Sequence, residues 1–342
     1  MSAAKSGIGT MDSANIVILN NTYPPSKEFQ EYQKAQAMCD IAQNEWNGRI
    51  DGFLRMEAGF EIILCSFKDD LDTVRITPSK PLSQNNATFY QAADIQYLKA
   101  ITSRYPGIGE DLVQLDFGQF VTAYEHAHDL FPNDSIYPRL TSVPDDEIDI
   151  IRRKVWHLAQ HGEVDPSAFN WQAVTERIVT RYADLIEALV LNSAATNKAF
   201  FNIIEAVLQP FITYDESTYV DSTIIEQTTE RCARQFIPSY APMDTLAGAA
   251  VYGVSYKICS TLASVFFHER HHDELPAALE RIRALKDELA WPEWKKCRGC
   301  AVDEICMIPM WPLGRKEDYE HPHCITAEDF SWWGDYWGPL VF

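Results

Sequence analysis

GFLRMEAGFEIILCSFKDDLDTVR, residues 52–75, is the stretch whose reading decides the fold. Its middle is almost wholly apolar, with Phe60, Ile62, Ile63, Leu64, Cys65 and Phe67, and it stops abruptly at Lys68-Asp69-Asp70-Leu71-Asp72. At helical spacing, Phe53, Phe60, Leu64, Phe67 and Leu71 form one stripe, and Ala58, Ile62, Cys65, Asp69 and Asp72 form another. A helix apolar on both stripes is a central one. The spacing therefore predicts a buried helix ending in two carboxylates, Asp69 and Asp72, on one face. Buried carboxylates are costly unless they are paired or bind a metal, and at a helix C-terminus they gain nothing from the dipole. Two answers stand: solvent, because acidic helix ends before loops are common, or a divalent cation.

The same period recurs on both sides of this stretch. Ser26 is a candidate N-cap for a helix carrying Phe29, Tyr32, Met38, Ile41 and Trp46, closed by Gly48. Residues 76–87 read as a loop from their Pro, Ser and Asn content. Helical spacing returns at Phe89–Ile101, and Phe117, Phe120, Val121 and Tyr124 suggest a short helix before Pro132. Helices are predicted from Pro144 through Leu158, and over about 171–192, 197–209, 217–236, 245–268 and 276–290. Clean period-two alternation is almost absent. The expected fold class is all-α, a single-domain helical bundle, with a flexible N-terminus over 1–25, the bundle over 26–290, and an irregular Cys/Trp-rich segment over 291–342 packed on it.

Composition narrows the function. A chain of 342 residues, 46% hydrophobic and 12% aromatic, can bury a large core. With 49 acidic against 29 basic residues, its net charge of -20 repels nucleic-acid phosphates, so no nucleic-acid partner is expected. The start has no apolar segment of the secretory kind. The run from Thr245 to Phe267 is read as too interrupted, by glycines, serines and Lys257, for membrane insertion. A cytoplasmic location follows as the expectation, and the eight cysteines then read as thiols or metal ligands rather than disulfides.

Several motifs carry candidate chemistry. Asp145-Asp146-x2-Asp149 is a literal DDxxD, but it follows Pro144 at a helix start, where acidic residues suit the dipole. Asp69, Asp70 and Asp72 are the better metal candidates, since Mg²⁺ takes one or two carboxylates with water and phosphate oxygens. An acidic, aromatic-rich, all-α chain of this size with an apolar helix ending in aspartates resembles the class I terpene cyclases, and among them the atypical fungal humulene synthases. The resemblance implies a sesquiterpene cyclase of fungal secondary metabolism that ionises farnesyl diphosphate with Mg²⁺. Asp69 and Asp72 would then bind metal, with Asp70 assisting.

The family's second metal group is N-x3-S/T-x3-E. Asn197, Phe201 and Glu205 have its ends and spacing, but Phe201 stands where the middle ligand belongs. A second candidate is Ser222, Glu226 and Glu230. Arg152 and Arg153 stand about where the family places its diphosphate-sensing arginine; the alternative is a solvated turn paired with Asp149 or Glu147. The expected partner is an isoprenyl diphosphate, and a homodimer fits as readily as a monomer.

Two further motifs support rival readings. Cys297-x2-Cys300-x5-Cys306, with Cys324, has the spacing of a structural Zn²⁺ site. It would fit a zinc-stabilised helical binding protein without lyase activity. His268-Glu269-x2-His272 lies within a literal HExxH-bearing run, His268-Glu269-Arg270-His271-His272, at a helix end, with Glu288 as a third ligand for a zinc hydrolase. His126, His128 and Asp129 form a weaker metal candidate.

Overall fold

Helical spacing with good caps becomes helix in the computed structural model. It describes residues 17–20, 31–55, 61–76, 99, 115–122, 143–163, 165, 167–191, 196–214, 222–269, 274–297, 299–307, 318 and 321–326. The elements are α1 (Glu31–Asn44), β1 (Gly52–Arg55), β2 (Glu61–Leu64), α2 (Phe67–Asp70), α3 (Asp145–His161), α4 (Trp171–Val190), α5 (Asn197–Leu208), α6 (Ser222–Arg234), α7 (Leu246–Ser264), α8 (Leu275–Leu289), β3 (Ile305–Met307) and β4 (His323–Ile325). Helices dominate the described residues. By packing, the chain divides into two compact units: Met1–Gln114 with Val121–Glu163 and Lys295–Phe342, and Leu115–Phe120 with Val164–Trp294. The sequence reading had drawn one helical domain over 26–290.

The second unit is a bundle of α4 to α8. Asn170 caps α4 by accepting from the Ala173 N–H, Thr196 caps α5, and Thr245 caps α7. Along α4, Trp171, Val174, Ile178, Tyr182, Ile186 and Leu189 recur at three- and four-residue intervals, and all are buried. The central element is α7, which packs against α4, α5, α6 and α8. Its most extensive partner is α6. The buried Cys232 of α6 and Cys259 of α7 form a disulfide, and Ser255 Oγ donates to the Ala233 carbonyl at 2.8 Å. Tyr182 fills the space behind that disulfide, accepting from Gln235 Nε2 at 2.6 Å. Burial pushes its phenol pKa up.

One helix differs from its sequence reading. Leu246–His268 is long and apolar enough to cross a membrane, with mean hydropathy 1.3 and 44% of its most apolar window buried. Gly253, Ser255 and Lys257 had been counted as interruptions. In the structure Gly253 faces open space, Ser255 is satisfied by the Ala233 carbonyl, and Lys257 pairs with Glu288 at the surface. None of them breaks the helix.

The first unit overturns the reading of the opening stretch. Residues 52–55 and 61–64 form no buried helix but two antiparallel strands, with Phe53 opposite Ile63 and Leu54 opposite Ile62. The reason is visible in retrospect: β-branched Ile62 and Ile63 and the aromatic Phe53 pack well across strands. Nor is the segment deeply buried, for Ile62 is 51% and Phe67 67% exposed. Phe53 leans on Trp46, ring centroids 6.0 Å apart, in a small core with Ala42 and Ala159. Val17, Val143, Ile148 and Ile151 make another. Cys39 of α1 is disulfide-bonded to Cys65 at the end of β2.

Other expectations meet the structure unevenly. Residues 115–122 are a turn rather than the start of a helix, because the Asp116 carboxylate accepts from the Gly118 N–H and from Gln119 Nε2. The expected helix over 89–101 and the C-terminal tryptophans Trp332, Trp333 and Trp337 lie outside the described residues.

The strand pair depends on Gly52. A Cβ there would sit 2.2 Å from the Ile63 carbonyl oxygen, well inside contact distance. Gly52→Ala should splay the strands and lower stability by about 1–3 kcal/mol, measured by urea unfolding monitored on the first unit's Trp46.

Candidate functional site

The aspartates that opened the sequence argument have an ordinary structural job. Asp69 and Asp70 lie in the four-residue α2, with Ser66 as its N-cap. The Asp69 N–H donates to Ser66 Oγ at 3.3 Å, Ser66 Oγ donates to Asp69 Oδ2 at 2.7 Å, and the Ser66 N–H donates to Asp70 Oδ2 at 3.1 Å. This is reciprocal capping. The carboxylates stand at a helix N-terminus, where the dipole favours them, and not at the C-terminal end that the sequence reading assumed. They are exposed, as is Asp72 in the extended segment that follows. The premise that they need a cation to offset burial is therefore gone.

Arg152 is similarly engaged. Its guanidinium pairs with Asp149, donates from Nε to the Val17 carbonyl at 3.0 Å, and donates from Nη2 to Asn20 Oδ1 at 2.9 Å. It ties α3 to the 17–20 segment. Arg153 is exposed. Asp145, Asp146 and Glu147 occupy the first turn of α3, as the dipole argument expects.

Asn197 and Glu205 belong to the second unit, on α5. Asn197 is exposed and Glu205 half-buried, while Phe201 between them is buried, its ring 5.3 Å from that of Phe200. The middle position of this N-x3-F-x3-E run thus turns toward the core, which accounts for an apolar residue there.

The other candidate run, Ser222-x3-Glu226-x3-Glu230, does reach a pocket. A shallow, broadly open groove of about 690 Å³ lies between α6 and α7, lined by Thr223, Glu226, Gln227, Glu230, Arg231, Tyr252 and Tyr256. Residues four apart on α6 put both carboxylates on one face. From α7, Tyr252 and Tyr256 supply the opposite wall, their rings 5.9 Å apart. Glu230 accepts from the Tyr252 hydroxyl and from Arg234 Nε. The Tyr252 hydrogen bond and then Arg234 hold its carboxyl below the usual range. Desolvation first, then the bond to Glu230, pushes the Tyr252 phenol up. Arg231 donates from Nη1 to the Phe211 carbonyl at 3.2 Å and to Thr213 Oγ1 at 2.6 Å, which fixes its stem at the pocket's edge. Tyr252 and Tyr256 lie at i and i+4 within the apolar run predicted as a helix over 245–268, and nothing in that run marks them as a pocket wall.

His268 is exposed in a π-helical turn, Val265–Glu269, and Glu288 is paired with Lys257, while His271 and His272 lie outside the described residues. So do His126, His128 and Asp129. All eight cysteines are in disulfides, not thiols as composition had suggested: Cys39–Cys65, Cys232–Cys259, Cys297–Cys306 and Cys300–Cys324. Residues 24 to 27 positions apart in sequence give no sign of such adjacency. Even so, the Sγ atoms of Cys297, Cys300 and Cys324 lie within 4.8 Å of one another, close enough to bind one metal ion.

Residues 1–95 match a family model described as the YPL277C N-terminal domain. That span holds α1, β1, β2 and α2, and neither the α6–α7 pocket nor the four C-terminal cysteines. No curated protein and no solved structure matches the chain.

The Glu230 bonds make a test of the pocket's electrostatics. A carboxyl whose folded pKa is lowered adds stability above the ordinary glutamate value of about 4.3, lost as pH falls through the lowered one. Tyr252→Phe removes the largest cause, so the Glu230 pKa should rise toward the ordinary value while Arg234 keeps it somewhat below. Carboxyl-carbon NMR titration of both proteins checks this.

Proposed function

We propose that the chain is an Mg²⁺-dependent lyase acting on an isoprenyl diphosphate, a terpene cyclase of the class I kind, with its site in the α6–α7 pocket. The observation that supports this reading is the pair Glu226 and Glu230 on successive turns of α6, facing a tyrosine wall and Arg231. Two carboxylates with room for water and phosphate oxygens are a donor set that suits Mg²⁺. Glu226 and Glu230 would hold the ion, which when bound offsets negative charge on a departing diphosphate. In this reading Asp69, Asp70 and Asp72 yield the metal role to Glu226 and Glu230, and Arg231 takes the place expected for Arg152 or Arg153.

The chain's own groups divide the remaining work. The Glu230 carboxyl, kept ionised by the Tyr252 hydroxyl and Arg234, stays ready as a ligand across the neutral pH range. The Arg231 guanidinium offers a planar donor fork to phosphate oxygens, and its bonds to Phe211 and Thr213 limit the freedom it loses on binding. The tyrosine ring faces can stabilise a cation by their quadrupoles. One consequence follows from the pocket's open side. Water reaches it, so a carbocation formed there is quenched in part, and terpene alcohols should accompany cyclic hydrocarbon. Farnesyl diphosphate fits the chain length the resemblance implies, with a humulene-type skeleton as its product.

A second reading rests on a different observation. The clustered sulfurs of Cys297, Cys300 and Cys324, with Cys306 bonded to Cys297, support a structural Zn²⁺ at these four cysteines. In that reading the chain is a zinc-stabilised helical binding protein.

Incubation with geranyl, farnesyl or geranylgeranyl diphosphate and Mg²⁺, followed by gas chromatography, tests the lyase. Product should form only with Mg²⁺ present, and Glu226→Ala and Glu230→Ala should each cut turnover by about a hundredfold or more. All three diphosphates remaining intact would refute the proposal. Activity that survives both substitutions would move the site off α6.

A further inference from the structure

The four C-terminal cysteines are arranged as a single sulfur shell. Cys297 and Cys300 are three residues apart, and between them Gly299 has φ +82°, a left-handed conformation that glycine adopts without a Cβ penalty. Cys306 and Cys324 are directly opposed partners in the β3–β4 ladder. The Cys297–Cys300 stretch and the strand pair thus bring three sulfurs together, with the fourth bonded to one of them. Three of them lie within 4.8 Å of one another, and the fourth, on Cys306, is bonded to Cys297. Sulfurs on a tetrahedral zinc at about 2.3 Å are about 3.8 Å apart, so small shifts separate the two arrangements. Among the described residues, no other three Cys, His, Asp or Glu side chains come as close.

The surroundings suit thiolates as well as disulfides. The Cys297 N–H donates to Cys306 Sγ at 2.9 Å, a bond that favours negative charge on sulfur. Lys99 Nζ donates to the carbonyls of Ala301, Val302 and Glu304 at 3.2, 3.1 and 2.8 Å. That ammonium fixes the loop between Cys300 and Cys306 and sets a positive charge beside it. The two strands are only three residues each, too short to hold a ladder without a cross-link or a metal.

We propose that this shell is redox-switched: reduced, its four thiolates hold Zn²⁺, and oxidised, they form the Cys297–Cys306 and Cys300–Cys324 disulfides and release the ion. The inference rests on the zinc reading above. The oxidant is hydrogen peroxide. Each disulfide forms from two thiolates, which give up two electrons to one peroxide; with two protons, its O–O bond breaks to give two waters. Two peroxides and four protons therefore convert the centre to two disulfides, four waters and free Zn²⁺, with zinc unchanged in oxidation state. A thiol reductant reverses the sulfur chemistry and restores the ligands.

The test uses the full chain, reduced and loaded with Zn²⁺ without oxygen. Zinc is read by mass spectrometry, thiols by titration and disulfides by peptide mapping. The reduced protein should hold about one zinc per chain, and hydrogen peroxide should release at least nine-tenths of it with loss of the thiols of Cys297, Cys300, Cys306 and Cys324. Mapping should find Cys297–Cys306 and Cys300–Cys324, and reductant with Zn²⁺ should restore binding. Cys324→Ser should weaken zinc retention at least about tenfold, with helical circular dichroism confirming that α4 to α8 remain folded. If the reduced chain takes up no zinc, the zinc reading itself fails. If zinc binds but peroxide leaves it in place, or releases it while the new disulfides join other cysteines, the switch is overturned and the zinc reading stands.

Discussion

The contact between α6 and α7 is the constraint on which the second unit depends. Along its buried side, the Cys232–Cys259 disulfide and the Ser255–Ala233 hydrogen bond fix the spacing and register of the two helices. Tyr182 and Gln235 close the polar remainder. The outer side inherits that register. Tyr252 stands three residues before Ser255, and Glu230 two residues before Cys232, so the same alignment that seats the staple brings the Tyr252 hydroxyl onto the Glu230 carboxylate. The pocket is thus a by-product of core packing that a small slip of α7 would close or spread. A disulfide spanning 27 residues also removes freedom from the unfolded chain, for about 3–4 kcal/mol in the loop-closure picture.

Charge is placed economically in the first unit and less so in the second. Asp69 and Asp70 cap α2, Asp145, Asp146 and Glu147 sit on the first turn of α3, and Asp149 pairs with Arg152. Each has a local electrostatic reason. On α6, Glu230 has such reasons too, in Tyr252 and Arg234, yet it also faces an open groove with Glu226 beside it. Exposed carboxylates are common in a chain with net charge -20. What distinguishes these two is their setting: successive turns, an aromatic wall and an arginine whose reach is limited by two hydrogen bonds.

Helices α3 to α8 were legible because their signals agree. An apolar stripe at period 3.6 and a capping Asn or Thr point the same way in α4, α5 and α7, and α3 opens on an acidic first turn after Pro144. The strand pair at 52–55 and 61–64 was not legible, since a run such as Glu61-Ile62-Ile63-Leu64 fits helix and strand alike when it is short and apolar. That single misreading carried the metal argument with it: once the run is strand, the following aspartates change from the end of a long helix to the start of a short one. Ser66, three residues before Asp69, was the available signal, an S-x-x-D capping pattern. The candidate site was partly legible. Glu226 and Glu230 had the right spacing, but Tyr252 and Tyr256 come from another helix, and no spacing rule reaches across a tertiary contact.

The cysteines show how a pattern can be read correctly and its state remain open. Spacing identified Cys297, Cys300, Cys306 and Cys324 as one constellation, and the structure brings them to one shell. The Cys232–Cys259 pair differs in kind. It is wholly buried within the helical core, two sulfurs with no third beside them and Tyr182 against both. A buried staple is screened from exchange by access alone, since thiol–disulfide exchange requires a thiolate to reach a sulfur. The C-terminal cysteines are only half-buried, and Cys306 and Cys324 lie on strands of three residues each. Under one reductant, then, the four-sulfur shell should open while the staple behind the α6–α7 pocket holds. Redox chemistry in the first unit can proceed without disturbing the register that makes the pocket.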